Sequence, residues 1–290
     1  MLQYSNLTTT TIEVQEFAMS TFRIAACQMN SRDDKAANLA TAERLIDEAA
    51  GLGAQMVGLP ELFNFLAADD KMAEGAEPTD GPTAQVLQAK ARQHGIYVHG
   101  GSIPTVIPDS DRIYNTTLVF DPAGELIASY NKIHLFDIHV AGQSSYKEST
   151  SVAPGNQMVT FETEHAQMGL TICYDIRFPE LYRALTLAGA KVIFQPAAFT
   201  LYTGKDHWET LIRARAIENQ VYMVSPAQIG THGNGKQCYG STMIVDPWGS
   251  VLARAPEREC VIVAEVDLAA QERTRAGLPS LQHRRVDLYG

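Results

Sequence analysis

Cysteine is scarce in this 290-residue sequence: there are four, Cys27, Cys173, Cys238 and Cys260, far apart and with no CxxC pair. A zinc ribbon or a thioredoxin-like site has nothing to start from. Basic residues are also in deficit, 23 Lys and Arg against 33 Asp and Glu for a net charge of -10, and no basic cluster stands out. Nucleic acid and anionic membrane surfaces are therefore poor partners. No apolar run reaches the roughly 18 residues of a membrane span. Gly-x-Ser-x-Gly, His-Glu-x-x-His, Gly-x-Gly-x-x-Gly and phosphate-loop signatures are all missing, which leaves serine hydrolases, zincins and nucleotide binders without anchors. The first twenty residues contain no Lys or Arg and hold Glu13 and Glu16. Secretory and mitochondrial leaders both need basic residues there, so the expectation is a cytoplasmic protein. A loose arm over residues 1–20, with Met19 as an alternative start, precedes a single domain over 21–290 that no Pro/Gly/Ser-rich linker divides.

What is present is an alternation of strands and helices. Ile24-Ala25-Ala26-Cys27 reads as a buried strand, Asn38 to Leu52 as a helix with its stripe at Leu39, Ala42, Leu45, Ile46 and Ala49, and Met56 to Leu59 as a second strand. A helix over Thr83–His94 and a strand over Ile96–Gly100 follow. The second half repeats the plan, with strands over Met168–Cys173, Lys191–Gln195 and Val221–Ser225 and helices over Glu180–Gly189 and His207–Asn219. Strands apolar on both faces point to a layered α/β protein. Tyr114 to Gly124 also parallels Tyr239 to Gly249 at an offset of 125 residues, each stretch ending in an Asp-Pro-x-Gly turn before another apolar strand. Two similar halves predict two sheets packed face to face with helices outside. Phe136 to Asn156, aperiodic and rich in polar residues, reads as a long loop.

Three reactive side chains directly follow apolar strands. Glu61, among Leu62, Phe63 and Phe65, is placed to move protons if poorly solvated; the same position suits a glutamate facing water. Lys132 is bracketed by apolar residues and suits oxyanion stabilisation if a carboxylate balances it, or a lysine reaching solvent along a strand edge. Cys173 sits at a strand-to-helix turn with Asp175, Arg177 and Glu180 close behind, polar surroundings that suit a reactive thiol as well as the buried, packed cysteine that is the usual case. A Cys–His pair using His134 or His207 also stays open.

On Leu59-Pro60-Glu61, Asn131-Lys132-Ile133-His134 and Cys173-Tyr174-Asp175-Ile176-Arg177-Phe178-Pro179-Glu180, three separated marks in order, the chain resembles the nitrilase, or carbon–nitrogen hydrolase, superfamily. The likeness runs from about Phe22 to Gly290. It implies a four-layer α-β-β-α sandwich of two pseudo-symmetric halves. It also implies Glu61 as general base, Lys132 as oxyanion-stabilising cation and Cys173 as nucleophile, with the backbone N–H of Tyr174 as a second oxyanion donor. Glu148, ahead of Pro154-Gly155, is implied as a second glutamate positioning Lys132, although no local feature selects it. The implied chemistry passes through a cysteine thioester to acid and ammonia and needs no cofactor and no metal.

Stretches at Pro196–Phe199, Thr203–Glu209 and Arg213–Gln220 are similar to the omega-amidase and deaminated-glutathione amidase branch. That branch implies a small carboxylate-bearing amide as substrate. Arg177 and Lys205 are then candidates to meet its charge and Phe199, Thr200 and Tyr202 to line the pocket, while Trp208 fits either pocket or core. N-carbamoyl amino acid amidohydrolases and nitrilases share the same catalytic residues, and a catalytically silent interaction protein on this scaffold belongs to a different class. Association through helices near the cysteine implies a homodimer or larger even-numbered homo-oligomer, with His283–Tyr289 packed across the interface.

Overall fold

Strand β1 (Thr21–Met29) shows why the central strands are apolar on both faces. Ile24 and Ala26 belong to a core cluster shared with the second half of the chain, whereas Ala25, Cys27 and Met29 belong to another built with two helices. Alternate side chains of one strand thus serve two separate interfaces. The computed structural model describes residues 21–139, 145–233 and 235–289, and the expected arm over residues 1–20 lies outside them.

Helix α1 (Lys35–Gly51) starts where the Asp34 carboxylate accepts the Ala37 N–H, and it buries Ala42, Leu45, Ile46 and Ala49 on one stripe. It connects β1 to the parallel strand β2 (Met56–Gly58). Helix α2 (Pro82–His94), opened by Pro82 and closed by left-handed Gly95, leads to the parallel strand β3 (Tyr97–His99). β4 (Ile103–Val106), β5 (Ile113–Phe120) and β6 (Leu126–Asn131) continue this sheet with antiparallel pairings. The ribbon β7 (Asp137–Ile138) and β8 (Tyr146–Lys147) stands apart from it.

The second sheet follows the same plan. After β9 (Thr160–Glu162), strands β10 (Gln167–Leu170), β11 (Val192–Phe194) and β12 (Tyr222–Ser225) run parallel, joined by α3 (Pro179–Leu187) and α4 (Leu201–Asn219). β13 (Ala227–Thr231) and β14 (Gln237–Tyr239) return to the first sheet, while β15 (Met243–Val245) and β16 (Val251–Arg254) complete the second. β17 (Cys260–Asp267) pairs along β1, and α5 (Leu268–Gly277) and α6 (Val286–Tyr289) follow. The result is a nine-stranded and a six-stranded sheet in an α-β-β-α sandwich.

The internal repeat survives at the level of single hydrogen bonds. Gly124 N–H donates to Asp121 O at 2.8 Å and Gly249 N–H to Asp246 O at 2.9 Å, with both glycines at positive φ. The repeat diverges after Tyr239, where Gly240 and Ser241 at φ 72° and 60° carry the chain from one sheet to the other. Two expectations need correction. The helix expected from His207 begins at Leu201, because Thr200 caps it and its early turns carry polar residues that mask the pattern. The long loop expected over 136–156 holds the β7–β8 ribbon and a tight helical turn at Glu148–Thr150.

Candidate active site

Cys173 opens a short 3-10 turn (Cys173–Arg177) three residues beyond the end of β10. Its φ of +46° lies in the left-handed region, which costs a residue with a Cβ about 1–2 kcal/mol, so the surroundings must hold it. They do so through the main chain: Cys173 N–H donates to Pro196 O at 2.8 Å, and Cys173 O accepts from Gln195 Nε2 at 2.8 Å. Gln195 is fixed in turn by the hydroxyls of Thr171 and Tyr182. The elbow's main chain is thus hydrogen-bonded at both its N–H and its carbonyl.

Lys132 follows β6 and is 2% exposed. Its ammonium donates to Glu61 Oε1 at 3.0 Å and to both oxygens of Glu148 at 3.0 and 2.9 Å. Burial pulls such an ammonium toward neutrality, but the two carboxylates outweigh it and hold Lys132 charged, with a pKa well above the ordinary lysine value. Glu61 is oriented by two further donors, Asn115 Nδ2 at 2.9 Å and the Ala198 N–H at 2.7 Å. Glu148 also accepts the Phe136 N–H at 2.6 Å, which ties the ribbon to Lys132. The thiol of Cys173 opens onto the same cavity as Glu61. Burial first, then the charge of Glu61, push that thiol well above the ordinary cysteine range, against the pull of Lys132. Cys173 is a thiol at rest, with a carboxylate in place to take its proton.

Glu61, Lys132, Glu148, Cys173 and Tyr174 line one cavity together with Phe199 and Thr200. Arg177, Tyr202 and Lys205 are not on that wall. The Arg177 guanidinium stacks 5.3 Å from the Phe199 ring centre and 5.8 Å from that of Tyr174, on residues that do form it. Tyr202 and Lys205 lie on exposed positions of the first turns of α4, where Thr203 takes the cavity-facing position instead. Trp208 is fully buried core, its indole N–H donating to Ser241 O at 2.9 Å. Neither histidine considered as a base lines the cavity: His134 Nδ1 lies 2.7 Å from Asp175, and His207 Nδ1 lies 3.3 Å from Arg177.

Sequence reasoning missed Asn115, Ala198, His232, Lys236 and Cys238. The last three reach the cavity because the chain crosses to the first sheet at β13 and β14, a topological step that leaves no local signal. Among the described residues, no group of three or more His, Cys, Asp or Glu is placed to hold a metal ion. No described helix is long and apolar enough to cross a membrane.

An αββα sandwich that fixes a strained cysteine beside a carboxylate-caged lysine is the framework of a cysteine-dependent hydrolase. More narrowly, the chain belongs to the carbon–nitrogen hydrolase family, whose match spans residues 23–276. It is 43% identical over 269 residues to a deaminated glutathione amidase of Synechocystis sp., covering 92% of this chain and 99% of that protein. The omega-amidase of Homo sapiens is 40% identical over 271 residues, covering 93% and 98%. Among solved structures, the C. elegans NitFhit protein superposes with a TM-score of 0.87 at 40% identity, covering 94% of this chain and 67% of that one.

Proposed function

We infer that the protein hydrolyses the amide bond of a small carboxylate-bearing substrate, of the kind named for its relatives, through a thioester on Cys173. The observation that carries the mechanism is that Cys173 shares one cavity with Glu61, a carboxylate that shares one ammonium with Glu148. Sulfur attacks the carbonyl carbon as Glu61 takes its proton. The resulting oxyanion is met by the charge of Lys132 and the backbone N–H of Tyr174, and loss of one such donor costs about 3–4 kcal/mol of transition-state stabilisation. Glu61 returns the proton to the departing nitrogen, which leaves as ammonia or an amine. It then activates a water that opens the thioester to the acid. Glu148 holds Lys132 in place throughout.

The substrate carboxylate would repel Glu61 and Glu148, so in this reading it points toward the other cations of the cavity wall, Lys147 and Lys236. Thr200 and Phe199 flank the acyl chain. We take residues 21–290 as one catalytic domain, since Glu61 and Lys132 follow strands of the first sheet and Cys173 follows a strand of the second. A cytoplasmic setting accords with four free cysteines. Exposed Leu187, Leu201, Tyr202, Ile217, Leu288 and Tyr289 on α3, α4 and α6 support a homodimer or larger even-numbered homo-oligomer, to be read as an even multiple of the chain mass by analytical ultracentrifugation.

A panel of α-ketoglutaramate, deaminated glutathione, N-carbamoyl-β-alanine, an uncharged amide and a nitrile tests the assignment. The expected result is highest kcat/KM on one of the two carboxylate-bearing amides, with Cys173→Ala lowering it by about four orders of magnitude or more. Nitrile turnover without amide hydrolysis, or full turnover by Cys173→Ala, would overturn it.

A further inference from the structure

Lys132 and Cys173 come from different halves of the chain, and no ladder joins their strands: β6 pairs with β5, and β10 with β9 and β11. Their relative position depends on side-chain links. One carboxylate supplies three of them and a fourth bond within the nucleophile's own turn. Asp175 is fully buried and lies two residues after the nucleophile, yet it is not on the cavity wall. Its Oδ2 accepts the Tyr130 hydroxyl at 2.7 Å and the Ile172 N–H at 2.8 Å. Its Oδ1 accepts the His134 N–H at 3.1 Å and lies 2.7 Å from His134 Nδ1. Tyr130 and His134 stand two residues before and two after Lys132, and Ile172 immediately precedes Cys173. The His134 ring also stacks on Phe178, which closes the nucleophile's turn, with centroids 3.6 Å apart.

We propose that Asp175, clasped by Tyr130 and His134, is a positioning residue that sets where the Lys132 ammonium stands relative to the Cys173 thiol. A buried carboxylate without donors would be costly, and one with four charge-assisted hydrogen bonds is rigid. The pattern of donors matters more than their number. Three come from the lysine-bearing segment, the Tyr130 hydroxyl before Lys132 and the main-chain N–H and imidazole of His134 after it, and the fourth is the Ile172 N–H of the nucleophile's own elbow. Moving either segment breaks contacts at the same carboxylate. A displacement of 1 Å at such a site is enough to lower turnover about 100-fold. The inference rests on Lys132 and Cys173 acting together, as in the proposed mechanism.

The test combines turnover with alkylation of Cys173, read at its own peptide by mass spectrometry across pH. Alkylation needs no knowledge of the substrate, so failure of the amidase assignment and failure of this inference are distinguishable. Tyr130→Phe keeps the ring and removes one donor, and His134→Ala removes the imidazole. Each is expected to lower kcat about 5- to 50-fold with KM within about twofold, and to shift the alkylation midpoint to higher pH because Lys132 no longer assists the thiolate as closely. His134→Asn, whose amide N–H can replace Nδ1, is expected to recover most of the loss. Asp175→Asn should give the largest effect, and if it does not fold, the other three variants decide. Melting temperatures lowered in Tyr130→Phe and His134→Ala, with kcat and the alkylation midpoint both at wild-type values, would reduce Asp175 to a core anchor and overturn the proposal.

Discussion

Two carboxylates within 3.0 Å of one ammonium leave an excess negative charge next to the Cys173 thiol. The consequence for Glu148 can be signed. Its charge raises the thiol pKa, while Lys132 lowers it. Glu148→Gln removes the first influence and leaves the second, so the thiolate becomes easier to form. Alkylation of Cys173 by iodoacetamide at pH 8 should then be several-fold faster than in the wild type. Turnover should move the other way, falling about 100-fold, because Lys132 loses a bidentate partner that also anchors the ribbon through Phe136. Parallel loss of both rates would show that Glu148 acts only by holding the fold. Three of the four residues in this cluster could be singled out as candidates for a physical reason, with their roles left to the family resemblance: Glu61, Lys132 and Cys173 each emerge just after an apolar strand, where a chain leaving a sheet exposes its side chains to a cleft. Glu148 follows a two-residue strand with no periodicity, so only the family resemblance singles it out.

At the scale of elements, the segment after β2 is held by the chain that crosses after β3. Leu62 N–H donates to Ser102 Oγ at 3.0 Å, Phe63 N–H to Ser102 O at 3.2 Å, and Ser102 N–H to Pro60 O at 3.3 Å. Gly101 makes this approach possible. Its φ is +49°, and a Cβ there would stand 2.0 Å from Pro60 O and 2.5 Å from Leu59 O, main-chain atoms that cannot turn aside. Gly101→Ala should destabilise the protein by about 2–4 kcal/mol and displace Glu61, with kcat falling even where the fold persists. An unchanged urea midpoint would contradict the argument. The parallel strands at the centre of each half and most helices could be read from their periods, but β4, β9, β13, β17, this crossing and the early start of α4 could not. Tyr202 and Lys205 illustrate the last case: a loop there would have room to turn both toward the cleft, whereas a helix capped at Thr200 sends Thr203 inward and leaves them in solvent.

Across the whole molecule, the two halves meet along the inner faces of the sheets, and that contact contains an ionisable group with no local signal in its pattern of residues. His99 on β3 is fully buried, with its ring stacked on Phe194 of β11 at 4.3 Å and Nδ1 accepting the Gly101 N–H at 3.2 Å. A histidine followed by two glycines reads as the end of a strand; only the packing of one sheet on the other encloses it. Burial lowers its pKa from 6.5 to about 3. Between those values the unfolded chain binds a proton that the native state refuses, so the unfolded state holds more protons and stability rises with pH. The contribution is complete above pH 6.5 and is lost progressively as pH falls toward 3. From pH 7 to pH 5 the loss from this one residue is about 2 kcal/mol. His99→Gln keeps an acceptor for Gly101 and removes the titration. Urea unfolding at pH 7 and pH 5 should therefore show a smaller stability difference in the variant than in the wild type, by about that amount, even if the variant is less stable at both. Equal differences in the two proteins would mean that His99 takes up its proton without the sheets parting.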